Sequence, residues 1–172
     1  MNKLSGKNIG ILCGGWSDER PVSLDSGKSA YDSLISNNLN AFLFDFKDND
    51  INILSKFIES NKIDLVLNLI HGSGGEDGLV QNYLDRLSVK YIGSNSESSK
   101  LSFNKVHTKE VWLRNGLKTP NYLRLSDNIS SKKIEEMFDE KFILKPCESG
   151  SSVGIKIFDS ANFYSSSYTD IL

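Results

Sequence analysis

From Asn8 onward, short apolar runs alternate with stretches in which apolar residues return every three or four positions. Ile9-Gly10-Ile11-Leu12-Cys13 predicts a buried strand. After Pro21, which suits a first helical turn because its missing N–H costs nothing there, Leu24, Tyr31, Leu34 and Ile35 predict a helix. Ala41 to Phe46 predicts a second strand, and Ile51, Leu54 and Ile58 the face of a short helix. Leu65 to Ile70 is almost uniformly aliphatic and predicts a third strand; Leu79, Tyr83, Leu84 and Leu87 mark a third helix, and Tyr91-Ile92 a fourth strand closed by Gly93. Strands that are apolar throughout, alternating with helices, call for a parallel sheet covered on both faces. Residues 1–95 are therefore expected to form a small Rossmann-like α/β domain.

Beyond Gly93 the texture changes. The polar stretch Ser94 to Ser99 is either a linker or the cap of a following helix. A helix is expected from about Ser102 to Asn115, stopped by Gly116 and Pro120, then a strand over Tyr122 to Leu125, helix over Ile134 to Phe138, and strands over Phe142 to Lys145 and Ile155 to Phe158. Residues 96–172 thus read as an α+β region. It looks unfinished, since no closing strand follows the serine-rich segment.

Composition narrows the function classes. The chain of 172 residues carries 20 basic and 22 acidic side chains, a formal charge of −2, and so has no basic excess for holding nucleic acid or an anionic membrane. A hydrophobic share of 38% supports a packed core and excludes a disordered chain. Cys13 and Cys147 lie far apart without metal-ligand company and read as reduced thiols. The apolar run after the basic amino terminus is too short for a signal-peptide core, and no run is long enough to span a membrane. The expected location is the cytoplasm.

Three glycine-rich segments could carry chemistry. Two fall at the carboxyl ends of the first and third strands, where open parallel sheets bind ligands: Gly14 to Arg20, and His71 to Gly78. In the first, Ser17 or Asp18 could simply cap a helix, whereas Glu19 could pair with a substrate ammonium. Trp16 fills the place where a dinucleotide fingerprint needs its second glycine, which weighs against a nicotinamide-dependent oxidoreductase. In the second, His71 stands with Glu76 and Asp77 among four glycines, in the sheet's binding crevice. The third segment, Gly150-Ser151-Ser152-Val153-Gly154, lies between two strands; it is either a plain turn or a loop whose N–H and hydroxyl groups approach a phosphate. Lys145, expected on the same strand face as Ile143, favours the anion. The loop is not a Walker A motif, for no Lys-Ser or Lys-Thr pair follows and no helix opens after it. His107 reads as a surface residue, and Lys105 and Lys109 as a solvated helix face or as cations reaching over a nucleotide.

The ordered series Gly14-Gly15-x-Ser17-x-Glu19-Arg20-x-Val22-Ser23-Leu24, His71-Gly72-x-Gly74-Gly75-Glu76-Asp77-Gly78, Tyr91-x-Gly93-Ser94, Asn104-Lys105, Lys145-Pro146 and Gly150-Ser151-Ser152-Val153-Gly154 resembles the D-alanine–D-alanine ligases, ATP-grasp enzymes of cell-wall synthesis. The resemblance covers about Asn8 to Phe158. It implies a pre-ATP-grasp domain followed by part of an ATP-grasp subdomain. It also implies that Glu19 binds the ammonium of the first D-alanine with Ser151 joining it, and that His71 lies nearby. Lys105 and Lys145 would contact ATP phosphates, under a flap formed by Gly150, Ser151, Ser152 and Val153. In the implied reaction a D-alanine carboxylate takes the γ-phosphoryl group of ATP, and the amine of a second D-alanine attacks the acyl phosphate. Relatives are about twice as long. Their other half holds the Mg²⁺ ligands and much of the adenine pocket, so the 172 residues alone are expected to lack turnover. Relatives are commonly homodimers. A non-catalytic amino-acid-binding or split-enzyme module, and ligases using D-lactate or D-serine as acceptor, remain alternatives at this stage.

Overall fold

The computed structural model describes residues 4–125, 131–138, 141–150, 152 and 154–159. The chain divides into two compact units, Met1–Asn104 and Lys105–Leu172. In the first, β1 (Asn8–Gly14), β2 (Asn40–Phe46), β3 (Leu65–Asn68) and β4 (Lys90–Ile92) form a parallel sheet in the order β2-β1-β3-β4. Because β1 is central and pairs along its length with both neighbours, its side chains are buried from Ile9 to Cys13. Between the strands run α1 (Arg20–Ser36), α2 (Ile51–Ser60) and α3 (Leu79–Arg86). Leu12, Phe46 and Val66 meet Leu54 and Ile58 of α2 and Val80 and Leu84 of α3 in one core. Strand alternation sends Cys13 to the opposite face, where α1 lies.

That contact is not made by the apolar residues of the helix. The residues α1 buries are Ser23 and Gly27, whereas Leu24, Tyr31 and Leu34 are half-buried and Ile35 is exposed. A Cβ on Gly27 would stand 2.5 Å from Cys13 Cβ, so the helix approaches the sheet through its smallest residues and turns the larger ones sideways. The apolar periodicity locates the helix, and small residues make its inner face.

The polar stretch after Gly93 is a helix cap. The Asn95 side chain accepts from Ser98 N and starts α4 (Ser96–Phe103). Ser96 Oγ donates to Gly78 O at the start of α3, which explains why the division between units falls at Asn104 and not at Asn95. The single helix expected over Ser102 to Asn115 is two, since extended backbone at Asn104 separates α4 from α5 (Lys105–Arg114).

In the second unit α6 (Ser131–Met137) contributes Ile134, 2% exposed, to a small core with Leu123, Leu125, Phe138, Phe142, Leu144 and Phe158. Phe142 and Leu144 belong to β5 (Lys141–Leu144) and Phe158 to β6 (Lys156–Asp159), which pair antiparallel. Tyr122 to Leu125 is irregular chain, not the expected strand; its alternating Leu123 and Leu125 are apolar because they pack on Ile134. The serine-rich segment at 160–172 lies outside the described residues. No helix among the described residues is long and apolar enough to cross a membrane.

Candidate functional site

Two serines tie the carboxyl ends of β1 and β3 together. Ser23, buried on the inner face of α1, accepts from Gly14 N at 2.8 Å and donates to Leu69 O at 2.6 Å. Ser17 donates to His71 O at 2.7 Å and accepts from Glu19 N at 3.2 Å. The two turns identified in the sequence therefore lie side by side, and both hydroxyls satisfy backbone groups that the strands leave unpaired.

Glu19 occupies the N-cap position of α1 without capping it through its side chain. Its carboxylate lies over the second turn: a Cβ on Gly72 would stand 2.9 Å from Ser17 Oγ and 3.1 Å from Glu19 Oε1. Gly72 also has φ +70, a conformation that side chains disfavour. Hence the His71-Gly72 turn is bare where the carboxylate reaches it. His71 Nδ1 stands 3.5 Å from Glu76 Oε1, and its Nε2 is 3.3 Å from Ser26 Oγ. Glu19 and His71, singled out separately in the sequence, thus belong to neighbouring walls of one site.

The remaining turn residues hold these walls. Arg20 makes a two-pronged pair with Asp45 at 2.7 and 2.6 Å and donates to Gly15 O at 3.0 Å. The bond to Arg20 holds the Asp45 carboxyl below its usual range, with burial working the other way. Burial, with Asp45 adding, pushes the Cys13 thiol up, which fits an inert core thiol. Trp16 packs edge-on to Phe46 and across Gly74, where a Cβ would enter its ring. Asp77 accepts from Gly74 N and Leu79 N, closing the second turn and starting α3.

The second unit presents the other candidates. Lys105 Nζ donates to Ser149 O at 2.6 Å and its backbone N donates to Cys147 O at 2.9 Å, so the start of α5 is pinned to the segment before Gly150. This is a loop contact, not the solvated helix face considered for Lys105. Lys109 is likewise engaged, by Thr119 Oγ1 at 2.6 Å and Pro120 O at 3.0 Å. Lys145 is exposed, and so is Ile143 at 54%. Their shared face is therefore the open face of the hairpin, and the cation is not set against the core. Gly154 has φ +71 and a Cβ there would stand 2.8 Å from Pro146 Cγ; Ser152 is exposed with φ +63. Gly154 thus has no room for a side chain; Ser152 offers an exposed hydroxyl in the loop, and Lys145 an exposed ammonium just after β5. That donor set fits a phosphate group. Ser151 and Val153 lie outside the described residues. Among the described residues no group of three or more His, Cys, Asp or Glu side chains could hold a metal ion, so a divalent cation finds no ready ligand set there.

The sequence reading overlooked Ser17, Ser26 and Asp45 as site residues. Ser26 had a legible signal: it follows Glu19 by seven positions and Ser23 by three, which sets all of them on one helix stripe. Asp45 had none, because its role comes from the register that places it opposite Cys13 on β1.

No protein-family model matches the chain. The D-alanine–D-alanine ligase B of Xanthomonas campestris pv. campestris is 40% identical over 159 residues, which is 89% of this chain and 49% of that protein. The D-alanine–D-alanine ligase of Bordetella pertussis is 39% identical over 155 residues, 90% of this chain and 48% of that protein. Among solved structures, the D-alanine–D-alanine ligase of Bacillus anthracis superposes with a TM-score of 0.74 at 30% identity, covering 90% of this chain and 50% of its own. The same enzyme complexed with ATP gives a TM-score of 0.76 at 27% identity, covering 96% and 55%. The chain spans about half the length of the curated relatives it matches. Over about nine-tenths of its own length, then, the chain is similar in sequence and in fold to D-alanine–D-alanine ligases.

Proposed function

We propose that this chain forms the amino-acid-binding and phosphate-facing part of an ATP-dependent ligase that joins two D-alanines through an acyl phosphate. The observation that carries the reading is the Glu19 carboxylate lying over the bare Gly72 turn, next to His71, at the carboxyl ends of β1 and β3. A carboxylate there suits the ammonium of an amino acid, a charge-assisted partner stronger than a neutral one. The crevice at the strand ends is also where open parallel sheets take small ligands.

The chemistry explains the second unit. A free carboxylate acylates poorly because oxide is a poor leaving group. Transfer of the γ-phosphoryl group onto a carboxylate oxygen replaces it with phosphate, and attack by the second amine then expels that phosphate. Phosphoryl transfer needs positioning and charge neutralisation rather than covalent help. Lys145 and the loop from Gly150 to Gly154, with Ser151, Ser152 and Val153, would supply donors. Lys105 would hold the segment at Ser149 in place as well as face a phosphate. ATP, when bound, supplies the phosphoryl group. Mg²⁺ would neutralise phosphate charge in this reading, and no step is assigned to it. Ser151 would complete the Glu19 subsite. The two units that would take these roles are 1–104 and 105–172. A homodimer working in the cytoplasm on peptidoglycan precursors completes the proposal.

D-alanine is favoured as acceptor by the names of the curated relatives. A D-Ala:D-Ser ligase of Enterococcus faecalis, at 24% identity, supports the fold alone. The test is ADP release by the complete reading frame that contains these residues, supplied with D-alanine, D-lactate or D-serine. The expected result is ADP release that requires D-alanine and yields the dipeptide. ADP release without dependence on any of these substrates would overturn the reading.

A further inference from the structure

Ser17 directs both its hydroxyl and its carbonyl at the two turns that flank the candidate site. The hydroxyl donates to His71 O at 2.7 Å, across 54 positions of sequence, and accepts from Glu19 N at 3.2 Å. Ser17 O accepts from Arg20 N at 3.0 Å, which closes the tight turn leading into α1. A hydroxyl has one proton to give, and this one is committed to His71 O. Ser17 therefore has no donor for a small molecule at the strand ends, and what it contributes there passes through its neighbours.

Those neighbours form the proposed amino-acid subsite. Glu19 is held at both backbone groups, its N–H by Ser17 Oγ and its carbonyl by Ser23 N at 3.0 Å. Gly72, next to His71, packs directly on this link: a Cβ there would stand 2.9 Å from Ser17 Oγ, 3.0 Å from Ser17 Cβ and 3.1 Å from Glu19 Oε1. One hydroxyl thus sets the spacing between the peptide that carries the Glu19 carboxylate and the turn over which that carboxylate lies. Ser23 also joins the two strand ends, but its hydroxyl serves Gly14 N and Leu69 O, which precede the two turns.

We infer that Ser17 is a positioning residue: its hydroxyl fixes the Glu19 backbone against the His71 carbonyl and so sets where the carboxylate meets the ammonium of the first amino acid. The ammonium rests on the ligase reading; the tie between the two turns does not.

The first test is carbon and nitrogen NMR of the 172-residue chain. Ser17→Ala should move the His71 carbonyl ¹³C signal and the Glu19 amide signal, while the Leu69 carbonyl and the Gly14 amide, served by Ser23, keep theirs. A His71 carbonyl signal that does not move overturns the tie. The second test is steady-state kinetics of the complete reading frame. Ser17→Ala should raise the KM for the first D-alanine about 2- to 13-fold, the size of one neutral hydrogen bond, and leave the KM for ATP nearly unchanged. Made on top of Glu19→Gln, the same change should raise it by a smaller factor, because no carboxylate remains to be misplaced. An equal rise in both KM values, no rise, or the same factor in both backgrounds overturns the positioning role. A wild-type enzyme whose ADP release ignores D-alanine would sink the ligase reading instead, and the NMR test would still decide the tie.

Discussion

The Arg20 guanidinium grips the Asp45 carboxylate with both prongs, at 2.7 and 2.6 Å, and so fastens the first turn of α1 to the end of β2. The bond to Arg20 depresses the Asp45 ionisation, which fixes the sign of a pH effect. A carboxyl held below its unfolded value, about 3.9, contributes stability that is present above that pH and lost as pH falls through the folded value. Asp45→Asn is therefore expected to lower stability above about pH 4. The difference from wild type should shrink at lower pH. Urea unfolding followed at several pH values checks this; a constant difference down to pH 2 would contradict it.

Gly75 has no room for a side chain. A Cβ would strike Ile70 O, and Gly75 O is the acceptor for both Asn68 Nδ2 at 2.9 Å and Gln81 Nε2 at 2.7 Å. Gly75→Ala must displace the turn and loosen both bonds, at a cost of about 1–3 kcal/mol. The expected outcome is a lower urea midpoint with an unchanged slope. An unchanged midpoint would show that the turn adapts freely.

The elements of the first unit were legible because each is punctuated by its own chemistry: an unbroken apolar run for β1, Pro21 for the start of α1, glycine turns after β1 and β3. The inner face of α1 was not, since Ser23 and Gly27 are buried for what they permit, close approach and a bridging hydroxyl, and not for apolar character. The break at Asn104 was hidden for a related reason: Lys105 N turns to Cys147 O, a partner distant in sequence. At the site, Glu19 and His71 could be singled out by residue type and place in the turns. Their neighbours Ser26 and Asp45 depend on helix stripe and strand register, which become visible only once the fold is known.

Ile134 anchors the small core of the second unit, where Leu123, Leu125, Phe138, Phe142, Leu144 and Phe158 surround it. Its truncation to alanine is expected to cost about 2–5 kcal/mol. A core this small has little else to draw on, so Ile134→Ala should unfold the second unit while the amide signals of β1 to β4 persist. Loss of both sets of signals together would show that the units do not fold independently.

Glu19→Gln keeps size and removes charge. If Glu19 takes the ammonium of an amino acid, the loss should be about 1.5–3 kcal/mol, roughly a 10- to 150-fold rise in the KM for the first D-alanine. The KM for ATP should change much less. Steady-state kinetics of the complete reading frame separate the two, and an equal loss of both would remove Glu19 from the role proposed.

The central claim is that a D-alanine carboxylate oxygen attacks the γ-phosphorus of ATP, and it can be followed atom by atom. With D-alanine labelled by ¹⁸O in its carboxylate, the oxygen that bridges the acyl phosphate leaves with the phosphate when the second amine attacks. Mass spectrometry of the released phosphate should find one ¹⁸O per molecule, formed together with the dipeptide. Unlabelled phosphate accompanying dipeptide would contradict the account, because activation would then not pass through the carboxylate.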